Sequence, residues 1–325
     1  MKTFAHFNAS TLDEAVSLLS RYGRRASIIA GGTDLLGKMK DEILSTYPEA
    51  LINIKTIPGM EYVREEDQVL KIGALTRLEH IANHPIVKGR YLALAEAAGK
   101  TASPHIREMG TISGNIVQDI RCWYYRSPNN RFPCLRKGGG RCYAIDGDNR
   151  YHSIFGGSVD GGCYAVHPSD TAPALIALGA LIRTTKRTLQ AEDFFQVGVT
   201  KTTVLDDDEI VTEIQIPEPP NHSRSAFIKF ALRKTIDFSI VNCASLILYS
   251  GDRVQTARIC LNAVYVKPYR ALMAEEVITG ENLNEEIAEA AGSAAISQAK
   301  PLQHNGYMAQ IAKTMVKRSL LACRD

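Results

Sequence analysis

No window of the sequence offers the roughly 18 consecutive apolar residues of a membrane-spanning helix. The opening stretch, MKTFAHFNASTLDEAVSLLS, places Asp13 and Glu14 where a secretory leader needs an unbroken apolar run. A cytosolic chain with no membrane partner is therefore expected. Charge of one sign is also scarce: a formal net charge of +3 is too near neutrality to argue for nucleic acid or an anionic surface as partner. The GxGxxG fingerprint, the GxxxxGK[ST] P-loop and the HExxH zinc helix are all missing. No Ser-His-Asp or paired-carboxylate arrangement stands out, so no catalytic acid, base or nucleophile is assigned. His105, His152 and His167 read as polar surface or turn residues. Internal repeats and low-complexity tracts are absent, and an odd number of cysteines, seven, makes a poor disulfide framework. What is present is the composition of a globular protein, 45% hydrophobic and 22% charged, over 325 residues that suffice for two or three domains.

The cysteines are concentrated. Cys122, Cys134, Cys142 and Cys163 lie in one stretch, separated by eleven, seven and twenty residues, whereas Cys243, Cys260 and Cys323 sit in apolar strand-like or helical runs and read as small buried hydrophobes. Four thiolates suit an iron–sulfur cluster or a structural zinc, and these intervals belong to neither a ferredoxin run nor paired CxxC units, so spacing alone leaves the two level. The surroundings are Arg, Lys, Asn, Pro and Gly, which argues against an apolar core of unliganded thiols. Arg136, Lys137, Arg141 and the amides of Gly138 to Gly140 could donate toward sulfur. Trp123, Tyr124 and Tyr125, next to the first cysteine, either shield such a centre or pack the loop.

Taken in order, Thr11 to Glu14 reads as a capping box ahead of an amphipathic helix. Ala26 to Ala30 is a short strand running into Gly31-Gly32-Thr33-Asp34 and a helical LLGKMKDEIL. Strand, glycine turn and helix together suit a diphosphate, because bare amides and a helix N-terminus face it; the plainer reading is a tight turn. Strands at 51–54 and 69–76 alternate with helices at 78–82 and 91–98, an α/β pattern. Helix at 172–181, strand at 180–185 and an alternating strand at 209–216 follow. Pro217 to Ser225 is the best linker. Beyond it come three antiparallel strands (227–233, 240–249, 254–264), then helices at 271–278, 284–298 and 305–322, the middle one capped by Asn284.

The phrases IIAGGTDLL, GTISGN, PSDTAPAL and AFIKFALRK followed by DFSIVN, in that order, resemble the flavin subunits of the molybdenum hydroxylase family over nearly the whole chain. The resemblance implies an α+β protein: a two-part FAD-binding domain of the vanillyl-alcohol-oxidase (PCMH) type at 1–218, then a C-terminal domain at 223–325 of three strands and a helical bundle. The long interval between Asn115 and Asp170, with four cysteines in it, is similar to the flavin subunit of 4-hydroxybenzoyl-CoA reductase and to that of a bacterial periplasmic aldehyde oxidoreductase. Both imply a [4Fe-4S] cluster in the inserted loop, 116–166, on Cys122, Cys134, Cys142 and Cys163, although the interval before Cys163 is longer than the reductase suggests.

For FAD the resemblance implies a cradle from Ile29, Ala30, Gly31, Gly32, Thr33, Asp34 and Leu35, faced by Thr111, Ser113, Gly114 and Asn115. Asp170 would accept from flavin hydroxyls, its alternative being a helix N-cap. Lys229 would stand near the pyrimidine end of the ring, its alternative being a solvent-facing strand residue. The implied role is electron transfer within a heteromeric oxidoreductase. The partners would be a small subunit with two [2Fe-2S] clusters and a large subunit with the molybdenum cofactor, as a dimer of heterotrimers, with a ferredoxin-like or other carrier outside. The same role in an aldehyde or xanthine-type dehydrogenase is an alternative. A zinc-stabilised FAD module for assembly or regulation, without electron traffic, is an alternative of another class.

Overall fold

The computed structural model describes residues 1–324 apart from 45, 159–161, 200 and 235. The chain begins with a small parallel sheet: β1 (Ala5–Asn8), helix α1 (Leu12–Tyr22), β2 (Ala26–Ile29) and, in the middle of the sheet, β3 (Ala50–Asn53). Thr11 Oγ1 accepts from the Glu14 amide at 3.1 Å, the first half of the expected capping box. The second half differs: the Glu14 carboxylate accepts from the amide and hydroxyl of Ser10, at 2.8 and 2.7 Å, because Ser10 offers two donors where Thr11 offers its amide alone. Helix α2 (Leu35–Lys40) is shorter than its sequence pattern suggested. Glu42 takes a positive φ of 50°, which no helix can continue through.

A second, antiparallel sheet holds β4 (Val63–Glu66), β5 (Val69–Gly73), β6 (Leu181–Thr184), β7 (Thr188–Gln190) and β8 (Val211–Pro217) in the order β4-β5-β8-β6-β7. Between β5 and β6 run α3 (Leu78–Asn83), α4 (Pro85–Arg90), α5 (Leu92–Gly99), α6 (Pro104–Met109), α7 (Ile112–Ile116) and α8 (Thr171–Ala177); α9 (Ala191–Phe194) follows β7. Ile52, Leu70, Ile72, Ile81, Leu94 and Ile214 form the centre of this core and are wholly buried.

The C-terminal unit is a four-stranded antiparallel sheet, β9 (Ser223–Phe230), β10 (Val241–Ser250), β11 (Arg253–Asn262) and β12 (Tyr269–Arg270), ordered β12-β11-β10-β9, with α10 (Leu272–Ile278), α11 (Glu285–Ala295) and α12 (Gly306–Leu321). Three strands were expected. The fourth is two residues long, too short to show a period of two in sequence. Asn284 caps α11 by accepting from Ile287 N at 2.9 Å. The two units meet along a seam of small residues, Ala93 and Ala97 of α5 with Ala174 and Ala177 of α8, against Phe227 and Ala244; alanines there let helix and sheet approach closely.

From 117 to 170 the described residues form neither α-helix nor ladder strand, only 3₁₀ turns at Pro128–Asn130 and Leu135–Lys137. A stem closes this insert: the Arg121 amide donates to the Val166 carbonyl at 2.9 Å and the Val166 amide returns to Arg121 at 3.1 Å. Among the described residues no helix is long and apolar enough to cross a membrane.

Candidate functional site

A groove of about 950 Å³ is walled by the turn after β2, by α7, by the 168–170 phrase and by β9. It brings together Ala30, Gly31, Gly32, Thr33, Asp34, Leu35, Thr111, Ser113, Gly114, Asn115, Asp170 and Lys229. Ile29 alone of the expected set is not on the wall. It packs behind the turn, its Cδ1 3.3 Å from where a Cβ on Gly32 would stand. The two glycines have separate reasons: Gly32 has φ +72°, and a Cβ on Gly31 would collide with the Met109 carbonyl.

Most polar side chains of the facing phrase are already committed to the protein. Thr111 Oγ1 accepts from the Gly114 amide at 3.1 Å, and Ser113 Oγ donates to the Ala74 carbonyl at 2.7 Å. Asn115 Oδ1 accepts from Ser169 and Thr171 hydroxyls at 2.5 and 2.6 Å. These bonds lock the 111–115 phrase to the 168–171 phrase, so what α7 offers the groove is largely backbone.

Asp170 does not cap α8. Ser169 does, accepting from the Ala172 amide at 3.0 Å, which frees the Asp170 carboxylate to accept from Lys229 Nζ at 2.6 Å, Ser239 Oγ at 2.6 Å and Asn242 Nδ2 at 2.7 Å. Lys229 is correspondingly no solvent-facing side chain; it is 5% exposed, and its ammonium also donates to the Lys100 carbonyl at 2.8 Å. A buried ion pair whose lysine also bonds the Lys100 carbonyl thus forms one wall of the groove.

Asp34, at the end of the glycine turn, accepts from Arg126 at 2.8 Å and from the Asp119 amide at 3.0 Å. Lys38 Nζ reaches Asp119 at 3.2 Å, and Tyr125 donates to Asp119 at 2.6 Å. Burial works to raise the Asp119 pKa, but Lys38 and Arg126 outweigh it and hold the carboxyl well below the usual range. The same contacts push the Tyr125 hydroxyl upward, through burial first and the Asp119 charge second. This network ties the groove to the root of the insert.

Cys122, Cys134, Cys142 and Cys163 line one small cavity with Tyr124, Tyr125, Leu135, Arg136 and Tyr143. All four thiols are free. Among the described residues no three His, Cys, Asp or Glu side chains converge closely enough to hold a single metal ion. Burial pushes the Cys122 thiol up to about 12 and raises Cys134 and Cys142. Arg136 is buried, donating from Nε to Cys163 Sγ at 3.3 Å and from Nη2 to the Gly198 carbonyl at 2.9 Å. Gly139 has no alternative, because a Cβ there would collide with the Pro133 carbonyl. Trp123 stacks on Tyr151 at 5.4 Å, 47% exposed, and lies outside the cavity.

Two histidines overturn their expected surface placement. His152 is wholly buried with Nε2 3.2 Å from Cys122 Sγ, and His167 is wholly buried with its ring edge-on to Phe195 at 4.8 Å. Desolvation pushes both down to about 4, against a weaker upward pull from the backbone at Asn149 and Ile116. Isolated histidines in loop-like sequence carry no periodicity from which burial can be read. His105 is exposed as expected.

Residues 2–219 match the family described as the FAD binding domain in molybdopterin dehydrogenase, and residues 226–323 match the CO dehydrogenase flavoprotein C-terminal domain. The chain is an FAD-binding medium subunit of the molybdenum hydroxylase family. It is 31% identical over 298 residues to the nicotinate dehydrogenase FAD-subunit of Eubacterium barkeri, covering 89% of this chain and 84% of that one. It is 30% identical over 334 residues to the aldehyde oxidoreductase FAD-binding subunit of Escherichia coli K12, covering 100% and 99%. The solved structure of carbon monoxide dehydrogenase from Hydrogenophaga pseudoflava superposes with a TM-score of 0.78 at 29% identity, over 99% of this chain and 97% of that one. As a member of this family the medium subunit is an oxidoreductase component that binds FAD. Sequence reasoning missed groups that it brings to the groove: Lys38, Gln118, Arg121, Arg126 and the Ile236 to Phe238 segment. Two arginines flanking the first cysteine were the available signal.

Proposed function

We propose that this medium subunit relays electrons between an external carrier and the metal centres of partner subunits, with FAD in the groove and a [4Fe-4S] cluster in the insert. The observation that carries the reading is the convergence of four cysteines, far apart in sequence, on one cavity whose root is ion-paired to the groove. The residues fit both groups. Gly31 and Gly32 leave the turn bare of side chains where a diphosphate would lie, and the Asp170–Lys229 pair gives the far wall fixed charges for the flavin hydroxyls and ring. Four cysteines on one cavity suit a [4Fe-4S] cluster or a structural zinc alike, and the resemblance of the insert is what favours the cluster. Bound FAD exchanges electrons singly or in pairs, and a cluster exchanges them singly.

The chain's own residues supply the setting. Arg136 donates to Cys163 sulfur and His152 lies against Cys122 sulfur, contacts that stabilise charge on thiolates and tune a centre's potential. Ser113 and Asn115 fix α7 against the Ala74 carbonyl and the Ser169 and Thr171 hydroxyls.

By resemblance the partners are a small subunit with two [2Fe-2S] clusters and a large subunit bearing the molybdenum cofactor, where the organic substrate reacts, assembled as a dimer of heterotrimers in the cytosol. The first domain would belong to the vanillyl-alcohol-oxidase type, and the insert favours the 4-hydroxybenzoyl-CoA reductase class with a ferredoxin-like carrier. The end-to-end match with an aldehyde oxidoreductase subunit favours a second reading, the same relay serving an aldehyde dehydrogenase.

Anaerobic purification of the full chain tests the central claim. The expected protein is yellow-brown, carries iron and labile sulfide in the amounts of one cluster, and gives a paramagnetic signal when reduced with dithionite. Zinc in place of iron, with no such signal, would leave a structural module and end the relay reading. Anaerobic addition to the whole complex separates the two substrate classes: an aldehyde, which gives up electrons, bleaches the oxidised flavin, whereas an aromatic acyl-CoA that the complex reduces restores the yellow colour of flavin previously reduced with dithionite.

A further inference from the structure

Asp34 stands at the end of the Gly31-Gly32-Thr33 turn and at the head of α2, yet its side chain makes no bond to that helix, the ordinary use of an aspartate at such a place. The insert takes its carboxylate instead. One oxygen accepts from Arg126 Nη1 at 2.8 Å and the other from the Asp119 amide at 3.0 Å. Lys38 Nζ lies 3.7 Å from the second oxygen and 3.2 Å from the Asp119 carboxylate, so its charge is shared between them. Arg126 commits its remaining nitrogens to the root of the insert, Nε donating to the Ile120 carbonyl at 2.8 Å and Nη2 to the Asp119 carbonyl at 2.7 Å. Its amide donates to the Cys122 carbonyl at 3.0 Å. The turn that carries the first cysteine and the guanidinium that holds Asp34 are therefore one piece. A second tie, from the Asn129 amide to the Asp41 carbonyl at 2.7 Å, joins the insert to the far end of α2.

Every nitrogen of the Arg126 side chain has a protein partner, so its service to the groove is to hold and neutralise Asp34. Without it the carboxylate stands beside the bare glycine turn, opposed only by the shared charge of Lys38, and repels a diphosphate laid there. The dependence also runs the other way. From 117 to 170 the described residues form no α-helix and no ladder strand, and a segment of that kind opens locally at small cost unless it is tied down. Here the tie ends on the glycine turn. We infer that Arg126 is a positioning residue of the FAD site, holding the glycine turn through Asp34, and that FAD binding and closure of the insert around Cys122 favour each other through this pair. The inference rests on the reading that the groove holds FAD, and it holds whether or not the cysteine cavity is filled. By linkage, the factor by which closure raises FAD affinity equals the factor by which FAD suppresses opening.

The test uses the full chain, free of flavin and metal and with its thiols reduced, as wild type, R126Q, D34A and the double variant R126Q/D34A. FAD affinity is read by quenching of flavin fluorescence, and opening of the insert by the rate at which iodoacetamide alkylates Cys122, followed by peptide mass spectrometry. Saturating FAD is expected to slow that alkylation about tenfold in the wild type, within the usual range for coupled sites, and not at all in R126Q or D34A. D34A leaves Arg126 its bonds to both carbonyls, so it separates loss of coupling from loss of the insert's fold. R126Q is expected to weaken FAD binding by roughly tenfold. R126Q/D34A should bind FAD more tightly than R126Q, because no unpaired carboxylate then stands beside the phosphates. Wild-type alkylation that FAD does not slow overturns the inference, as does full protection by FAD in R126Q. Reduced affinity in D34A with protection intact overturns it in favour of a direct contact between Asp34 and the flavin, and a double variant no better than R126Q overturns it in favour of a purely structural arginine. G31A that binds FAD as tightly as the wild type would instead remove the groove reading, and this inference with it.

Discussion

At the scale of single residues, the groove is governed by groups whose partners lie far away in sequence. Asp170 is the clearest case. Its alternative as a helix cap was reasonable from PSDTAPAL alone, and what decides against it is Ser169, one residue earlier, which takes the cap and leaves Asp170 for Lys229, Ser239 and Asn242. Lys229 lies in an alternating strand, where sequence cannot tell an outward lysine from one whose partner is 59 residues upstream. Both side chains are at most 5% exposed, so truncating one strands the other. In the flavin-free chain K229M should lose about 3–5 kcal/mol of unfolding free energy, read from urea denaturation at neutral pH. The double variant K229M/D170N should recover a large part of it, since no uncompensated carboxylate is then buried. A K229M cost below about 1 kcal/mol would place the pair in effective contact with water.

At the scale of elements, the strands and helices follow from apolar periodicity, the caps from Thr11 and Asn284, and the glycine turn from its place between β2 and α2. The insert does not, because its order comes from contacts among cysteines, tyrosines and arginines that have no period. Its four cysteines were legible as a group from their polar surroundings; the buried His152 beside Cys122 was not. Glycine shows how an element's neighbour decides the effect of a substitution. Gly292 lies inside α11, where a Cβ would stand 2.6 Å from the Lys313 carbonyl of α12, while Gly89 in α4 faces nothing within 4 Å. Intrinsic propensity favours alanine at both by roughly 0.5–1 kcal/mol. At Gly292 the overlap must be relieved by separating two packed helices, at a cost of about 1–3 kcal/mol. G89A is therefore expected to raise the melting temperature and G292A to lower it. The same sign for both would mean that α11 and α12 shift apart more freely than their close packing implies.

At the scale of the whole molecule, His167 sits where three parts meet. It leaves the insert's stem one residue after Val166, its amide donates to the Tyr265 carbonyl of the C-terminal unit at 2.8 Å, and its ring packs on Phe195 beside Asn262. Burial holds it neutral, with a pKa pushed down to about 4 against about 6.5 in an unfolded chain. The unfolded state therefore binds a proton that the folded state refuses between those values. Stability is complete above about 6.5 and falls as pH drops toward 4, by up to about 1.4 kcal/mol per unit for each such histidine. His152 acts in the same direction. Glu209 acts lower: burial opposes its ionisation, but Arg187, Thr184 and the Asp206 amide together depress it, so its contribution is lost only below the ordinary carboxylate range. Urea midpoints of the metal-free, flavin-free chain should thus fall steeply between pH 6.5 and 4.5, and in H167F the slope should be roughly halved, with H105Q, an exposed control, unchanged. Equal slopes in H167F and the wild type would show that the junction opens to water before the molecule unfolds, and that the insert, the groove and the C-terminal unit are not one cooperative body.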